Sequence, residues 1–140
     1  RSYEGAATLD KKGTGSSRVE QAYLRKVLLK KREEAECAIC GALFPKRLLH
    51  ASHIKKRQHC SREERLDPAV VMLNCKLGCD SLYEEGYLTI EDGFVRSSTK
   101  AGQHDVIRER LKALEGNACS AWAKDSEEYF KWHQRVSRGS

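Results

Sequence analysis

Two close pairs of cysteines constrain the fold of this chain more than any other feature of its sequence. Cys37 and Cys40 are separated by two residues, and Cys75 and Cys79 by three. Structural zinc sites take four tetrahedral ligands, commonly two from each of two tight turns. The N-terminus shows no signal-peptide pattern, which favours metal ligands over disulfides. The spacing therefore predicts a structural zinc site that staples a long insert, the alternative being four free thiols in the core.

The composition is typical of a globular domain. Of the 140 residues, 39% are hydrophobic and 33% are charged, a balance that separates such domains from disordered chains. No apolar run approaches the roughly 18 residues of a membrane span. We therefore expect a soluble intracellular protein, in a bacterial cytoplasm or a eukaryotic nucleus, with no membrane partner. The net charge of +6 favours a polyanion such as DNA, although many small domains are equally basic.

The apolar pattern predicts a mixed α+β domain. Residues 1–16 predict a flexible N-terminal arm, and 17–137 a single domain with a zinc-bounded core at about 37–86. A basic amphipathic helix begins near Ser17, with Ser16 or Ser17 as its cap. Extended pieces at 43–44 and 48–49 flank a turn, residues 55–69 predict a loop, and 69–75 predict a buried strand.

The second half of the chain predicts a helix, a hairpin and two further helices. The first helix covers 79–86 and ends at Gly86, and the hairpin covers 87–97 around Asp92-Gly93. The later helices cover about 104–115 and 126–136, the second capped by Ser126. We expect the following side chains to face the core: Val106, Ile107, Leu111, Leu114, Trp122, Tyr129 and Trp132.

The insert between the cysteine pairs resembles the HNH, or ββα-metal, family of nucleases. It is most similar to the HNH domains of restriction-type endonucleases. The resemblance is carried by CAIC, LLHASHIKK and ERLDPAVVMLNCKLGCDSLYEEGYLTI, and it extends to VEQAYLRKVLL and YFKWH, so that it spans about residues 18–133. It implies a zinc-stapled ββα-metal core with flanking helices and a β-hairpin. It also implies metal-dependent hydrolysis of DNA that leaves 5′-phosphate and 3′-hydroxyl ends.

The resemblance also assigns catalytic roles. His53 matches the general base, which takes a proton from the attacking water. Asp80 stands where the family places a ligand of the catalytic ion, and its carboxylate suits Mg²⁺ or Mn²⁺; alternatively it only complements the start of a helix. Ser52 precedes the base and can touch the ion weakly. Alternation along the strand makes His50 a reserve ligand, and Glu84 is another candidate.

The sequence departs from the family at the middle asparagine, which braces the loop that carries the base. Val70 stands near the expected position, and Asn74 comes too late. Asp67 is the candidate replacement. The departure keeps open a second function, in which the chain is a non-catalytic zinc module that binds DNA or a protein.

Several positively charged side chains follow His53 and can grip phosphates on either side of the scissile bond, or simply face solvent. They are Lys55, Lys56, Arg57, Arg62 and Arg65. Further domains of a longer protein would choose the DNA site, since backbone contacts carry little sequence information. A homodimer is also compatible with the sequence, and His59, Cys60 and Cys119 receive no role.

Overall fold

The computed structural model describes residues 14–102 and 104–138 of the chain. Helix α1 covers Thr14–Leu29, so it begins three residues before the predicted start, and residues 14–16 do not belong to an arm. The rest of the predicted arm, residues 1–13, lies outside the described residues. Apolar residues on one face of α1 anchor it, because Leu24 is fully buried in a hydrophobic cluster with Ala51 and Val71.

The described residues contain three two-stranded antiparallel sheets and five α-helices. Strands β1 (Glu34–Glu36) and β2 (Leu43–Pro45) flank the first cysteine pair. Strands β3 (Leu49–His53) and β4 (Val71–Cys75) pair with Leu49 opposite Cys75 and His53 opposite Val71. Helix α3 (Cys79–Glu84) follows β4 directly. The β3, β4 and α3 order matches the predicted succession of strand, strand and helix, and strands β5 (Leu88–Glu91) and β6 (Phe94–Ser97) form the predicted hairpin.

The connection between β3 and β4 is more ordered than the predicted loop. It contains a 3₁₀ turn at Arg57–His59, the short helix α2 (Arg62–Arg65) and a second 3₁₀ turn at Pro68–Val70. Ser61 starts α2: its hydroxyl accepts from the Glu64 amide, and the Glu64 carboxylate accepts from the Ser61 amide. This reciprocal cap satisfies two free amides and allows a helix without apolar periodicity. The loop prediction was therefore wrong at 62–65.

Helices α4 (Asp105–Leu114) and α5 (Glu127–Arg138) complete the described part of the chain. Leu111 and Leu114 are buried as predicted, but Val106 is 83% exposed, so its predicted inward orientation was wrong. It lies in the first turn of α4, away from the face that packs. The Ser126 hydroxyl accepts from the Ala123 amide and donates to the Ala121 carbonyl. It stabilises the turn before α5 and not the helix amides.

Two hydrophobic clusters hold the elements together. The larger surrounds the cysteines and joins the hairpin to α4 and α5, with Phe130 fully buried. The smaller lies between α1 and the β3–β4 sheet. Trp122 and Tyr129 pack against these clusters as predicted, whereas Trp132 belongs to neither of them. In the described residues, helices are too short or too polar to cross a bilayer.

Candidate functional site

The four paired cysteines converge in the larger core cluster. Their sulfur atoms all lie within 4.8 Å of one another. A tetrahedral zinc ion with bonds of about 2.3 Å requires sulfur atoms about 3.8 Å apart, so small adjustments of the side chains suffice. Three of the sulfurs belong to buried residues, and Cys40 is half-buried. The cysteine cluster, Cys37, Cys40, Cys75 and Cys79, can therefore hold a zinc ion, as the spacing predicted.

The turn after Cys37 has the backbone geometry that metal-binding turns need. The Gly41 amide donates to the Cys37 carbonyl, and Gly41 has a φ of 78°, where a side chain would be strained. The amides of Cys40 and Cys75 approach Cys37 Sγ at 3.5 and 3.4 Å. A hydrogen bond with the Cys79 thiol lowers the pKa of Cys37 to about 5, and these amides assist it against burial. One sulfur is thus a thiolate at neutral pH, the form that binds metal.

The buried Asn74 amide is placed to support a thiolate in the cysteine cluster. Its side chain is fully buried, its Oδ1 lies 3.9 Å from Cys37 Sγ, and its Nδ2 has no hydrogen-bond partner among the described residues. A metal-bound thiolate accepts hydrogen bonds, and rotating the amide by about 180° turns the NH₂ group toward it. Asn74 therefore fits as a donor to the cluster, where a bound zinc ion would make Cys37 an acceptor only.

The other two cysteines are ordinary core thiols. The Cys60 thiol donates to the carbonyls of Lys55 and Lys56, at 3.5 and 3.4 Å, which closes the loop after β3. Burial raises the pKa of Cys60, and it raises the pKa of Cys119 to about 11. Both thiols therefore stay neutral at physiological pH. Neither belongs to the cysteine cluster.

A second group of polar residues lines a cavity of about 270 Å³ between β3, the segment after it, α3 and α5. We call it the histidine cavity. It brings together all four predicted catalytic residues and the further candidate Glu84. The complete lining is His50, Ser52, His53, Ile54, Lys56, Arg57, Gln58, Asp80, Tyr83, Glu84 and His133.

Three polar atoms in this lining are buried without a partner among the described residues: Ser52 Oγ, His53 Nε2 and His133 Nδ1, the first two on adjacent residues. More than about 90% of buried polar groups in proteins are hydrogen-bonded, so two adjacent exceptions require an explanation. Their residues line one cavity, and an occupant of that cavity is their natural partner.

The environment of His53 stabilises a neutral imidazole. Burial lowers its pKa to about 4, with smaller electrostatic contributions from Arg57 and His50. A neutral ring can accept a proton at physiological pH. A bound phosphate would raise the pKa again, because negative charge favours the protonated ring. His53 can therefore work as a base while its charge depends on what occupies the cavity.

Hydrogen bonds hold both the backbone amide and the backbone carbonyl of Ile54, the residue after His53. The Ile54 amide donates to the Val70 carbonyl at 2.7 Å, and the Tyr83 hydroxyl donates to the Ile54 carbonyl at 2.9 Å. Asp67, the predicted brace, acts one step away: it accepts from the Ala69 amide and from the Tyr129 hydroxyl. Tyr83 was missed by sequence reasoning. Its position one helical turn after Asp80 is the signal that could have found it.

His133 was also missed, although it is 3% exposed and lines the histidine cavity. Its ring stacks on Tyr83 with centroids 3.7 Å apart, and Nε2 lies 2.7 Å from the Tyr83 carbonyl oxygen. A carbonyl only accepts, so Nε2 carries the proton and Nδ1 is an acceptor. Nδ1 is buried with no partner among the described residues. Burial lowers the pKa of His133 to about 4.

The basic residues after β3 differ in their ion pairs and in their exposure to solvent. Arg57 donates to both carboxylate oxygens of Glu20, at 2.7 and 3.0 Å, and Glu20 is only 2% exposed. Lys55 pairs with Glu64 at 3.0 Å. Lys56 and Arg62 are exposed, and Arg65 is half-buried. Phosphate binding by these five residues stays a prediction, but Arg57 and Lys55 also stabilise the loop.

The predicted ligands of a catalytic ion do not close into a compact set. Among the described residues, only the cysteine cluster gathers three or more potential ligands closely enough to hold an ion. Asp80 Oδ1 accepts from the Ser81 amide at 2.7 Å, as a residue at a helix start does. The chain matches neither a protein-family model nor a curated protein.

Proposed function

We propose that this chain is a metal-dependent DNA endonuclease of HNH type, with His53 as its general base. The proposal is supported above all by one observation. Residues from β3 and α3 that a nuclease of this type would need, His53, Ser52, His50 and Asp80, line a single cavity. Two of them contribute buried polar atoms that have no partner among the described residues. The resemblance of LLHASHIKK and the following segment to HNH domains gives these residues their roles.

In this function a phosphodiester of DNA enters the histidine cavity and His53 acts as the general base. A water molecule gives a proton to the imidazole, and its oxygen forms the new bond to phosphorus. The bond from phosphorus to the 3′ oxygen breaks, and that oxygen takes up a proton from solvent. General base catalysis of this kind contributes about 10²–10⁴-fold in rate.

A catalytic Mg²⁺ or Mn²⁺ ion belongs to the same proposal. Asp80 would hold it with help from Ser52, His50 or Glu84, whose oxygen and nitrogen donors line the cavity. Mg²⁺ commonly binds to one or two carboxylates, with water and substrate phosphate as its other ligands, so a compact protein cage is not required. When bound, the ion supplies positive charge to the phosphate and the departing oxygen.

The zinc ion at the cysteine cluster has a structural role in this proposal. Four thiolates leave no coordination position for a substrate. Elemental analysis of the purified chain should find about one zinc per chain. DNA is the proposed partner, and other domains of a longer protein would select the site to be cut.

Plasmid cleavage tests the proposal. Supercoiled plasmid is incubated with the chain and Mg²⁺ or Mn²⁺, and nicked and linear products are measured on a gel. We expect cutting by the unmodified chain and a loss of about 10²-fold or more in His53→Ala. His104→Ala is the matched control, because His104 is exposed and does not belong to the cavity lining.

Two outcomes would contradict the proposed endonuclease activity at His53. Equal cutting by the unmodified chain and by His53→Ala would assign the activity to a contaminant or another site. Salt-sensitive DNA binding without any cutting would instead support the non-catalytic zinc module, which the missing middle asparagine keeps open.

A further inference from the structure

A second cavity adjoins the histidine cavity and contains an aromatic pair outside the core. Its volume is about 320 Å³, within the range of roughly 300–1,000 Å³ that is usual for ligand pockets. We call it the tryptophan cavity. Its lining consists of Lys56, Gln58, His59, Glu84, Glu85, Gly86, Lys100, Trp132, His133, Val136 and Ser137.

The two cavities lie next to each other and share part of their lining. Lys56, Gln58, Glu84 and His133 belong to the linings of both. His133 therefore forms part of the wall that they share. A ligand that occupies the histidine cavity is therefore bordered by the tryptophan cavity.

The aromatic pair is His59 and Trp132. Their ring centroids are 5.3 Å apart and their planes are tilted by 40°. His59 is exposed, Trp132 is half-buried, and Trp132 packs in neither hydrophobic cluster. A large aromatic side chain normally gains its stability from burial. Its position on a cavity wall instead leaves indole surface for a planar ligand.

The charges around the tryptophan cavity suit only part of a nucleotide strand. Lys56 is exposed and lines both cavities. Its amine can therefore contact the backbone of a strand that passes from one cavity to the other. The Lys100 amine donates to the Glu85 carbonyl and lies 6.0 Å from the Tyr87 ring centroid. Glu84 and Glu85 add negative charge to the same lining. A neutral, planar group therefore suits the tryptophan cavity better than a second phosphate.

We propose that the tryptophan cavity binds a nucleobase, stacked on Trp132, from the strand whose phosphate occupies the histidine cavity. The inference rests on the proposed function and narrows its substrate class. A base inside an intact duplex is stacked between its neighbours and cannot reach this wall. The substrate is thus single-stranded DNA, or duplex DNA that is locally opened beside the cut. Stacking on aromatic side chains tolerates every base, so it selects strand structure and not sequence.

Tryptophan fluorescence tests the stacking directly. Trp122 and Trp132 are the two tryptophans of the chain, and Trp122 packs against the core near the hairpin. In the full chain carrying Trp122→Phe, single-stranded octathymidylate is added without Mg²⁺ or Mn²⁺, so that nothing is cut. We expect the remaining Trp132 signal to be quenched as the oligonucleotide binds. The full chain carrying Trp132→Phe should show no such quenching from Trp122.

Binding affinity provides the second measurement. Replacing Trp132 by leucine should raise the Kd for octathymidylate about tenfold, which corresponds to about 1.4 kcal/mol. Trp132→Phe keeps a ring and should lie between the two. Trp122→Phe is the matched control and should bind like the unmodified chain. Zinc content and far-ultraviolet circular dichroism check that each variant is folded.

The results separate this inference from the proposed function. Quenching of Trp122 but not Trp132, or an unchanged Kd in a folded Trp132→Leu, overturns the stacking while cleavage by His53 stands. Preferential binding of octathymidylate over a duplex of equal length, lost in Trp132→Leu, supports it. Absence of cleavage with intact Trp132 quenching instead removes the nuclease and keeps the nucleobase site.

Discussion

The cysteine cluster and the histidine cavity are neighbours in sequence but opposite in character. The cluster lies in the larger core, where sulfur atoms and backbone amides face one another. The cavity opens at the end of β3, where Ser52 and His53 contribute polar atoms without partners among the described residues. The cluster is arranged to stabilise the fold, whereas the cavity retains polar groups at a cost in stability, as binding and catalytic sites do.

Helix α3 connects the two regions. Its first residue, Cys79, belongs to the cysteine cluster, while Asp80, Tyr83 and Glu84 line the histidine cavity. Gly78, with a φ of 146°, makes the turn into the helix. Because the ligand residue and the cavity residues share a single short helix, loss of the cluster would also displace the cavity. The converse need not hold, since the cavity residues contribute no ligand to the cluster.

The largest effect is therefore expected from breaking the cysteine cluster. Cys75→Ser removes one ligand and should leave the chain largely unfolded, because structural zinc contributes about 10–16 kcal/mol of binding free energy that is coupled to folding. Far-ultraviolet circular dichroism and zinc content would measure the loss. Removing zinc with a chelator should have the same effect on the unmodified chain.

Cys119→Ala is the matched control for that experiment. Cys119 is buried in the same core but is not part of the cysteine cluster. It should keep about one zinc per chain, with a modest loss of stability from the smaller side chain. A Cys75→Ser protein that stays folded and keeps its zinc would contradict the assignment of the ligands.

The sequence allowed the cysteine cluster to be predicted better than the cavity, for a physical reason. Metal ligands in tight turns need short, regular spacings, so the Cys37-x-x-Cys40 spacing alone indicates the geometry of a metal-binding turn. The hairpin was predictable in the same way, because the neighbouring residues Asp92-Gly93 determine its turn. Helix α2 was not, since its stability comes from a cap at Ser61 and not from apolar periodicity.

The cavity depends on contacts between distant parts of the chain. His50, Ser52, His53 and Asp80 could be proposed from a family resemblance, but His133 reaches Tyr83 across 50 positions of sequence. Nothing in the pattern of α5 distinguishes a histidine that lines a cavity from one that faces solvent. In the same way, Trp132 carries the same apolar signal as Phe130, yet only Phe130 is in the core.

The next largest effect should separate structural from DNA-binding charges around the cavity. Arg57→Ala leaves the buried carboxylate of Glu20 without its paired guanidinium, and breaking a buried pair in this way costs about 3–5 kcal/mol; since Arg57 is partly exposed, we expect the lower end. Urea denaturation would measure the change in the free energy of unfolding.

Arg62→Ala is the comparison for Arg57. Arg62 is exposed, so its removal should change stability by less than about 0.5 kcal/mol. If Arg62 contacts phosphate, the variant should instead weaken DNA binding and reduce its dependence on salt. Equal stability of the two variants would contradict the structural role of Arg57.

A smaller effect is expected from acid, and it tests whether the cavity wall is buried in solution. The pKa of His133 is lowered to about 4 from its usual 6.5, so the unfolded chain binds a proton between these values and the folded chain does not. Stability is therefore complete above pH 6.5 and falls as the pH drops toward 4, by up to about 3 kcal/mol from this residue.

Urea denaturation at several pH values measures that slope. His133→Gln removes the titrating group and should show a shallower loss of stability toward pH 4 than the unmodified chain. Acid also protonates His53 and Cys37, whose pKa values are lowered to about 4 and about 5, but it does so in both proteins, and the difference between them isolates His133. The exposed His104 provides the control, since His104→Gln should retain the original slope; a steep slope in His133→Gln would show that other groups cause it.

A still smaller loss of stability than that from acid should come from Tyr83→Phe, and it tests whether the cavity is positioned by α3. The hydroxyl of Tyr83 holds the Ile54 carbonyl at 2.9 Å, directly after His53. Its removal leaves that carbonyl buried and costs about 1 kcal/mol. If the proposed function holds, kcat for plasmid cleavage should fall about tenfold while KM changes little, because the variant loosens the base and not the DNA contacts. Tyr87→Phe, on the half-buried Tyr87 outside the histidine cavity, should leave both constants unchanged. A fall in KM and kcat together, or none at all, would mean that the Tyr83 hydroxyl supports the fold without positioning His53.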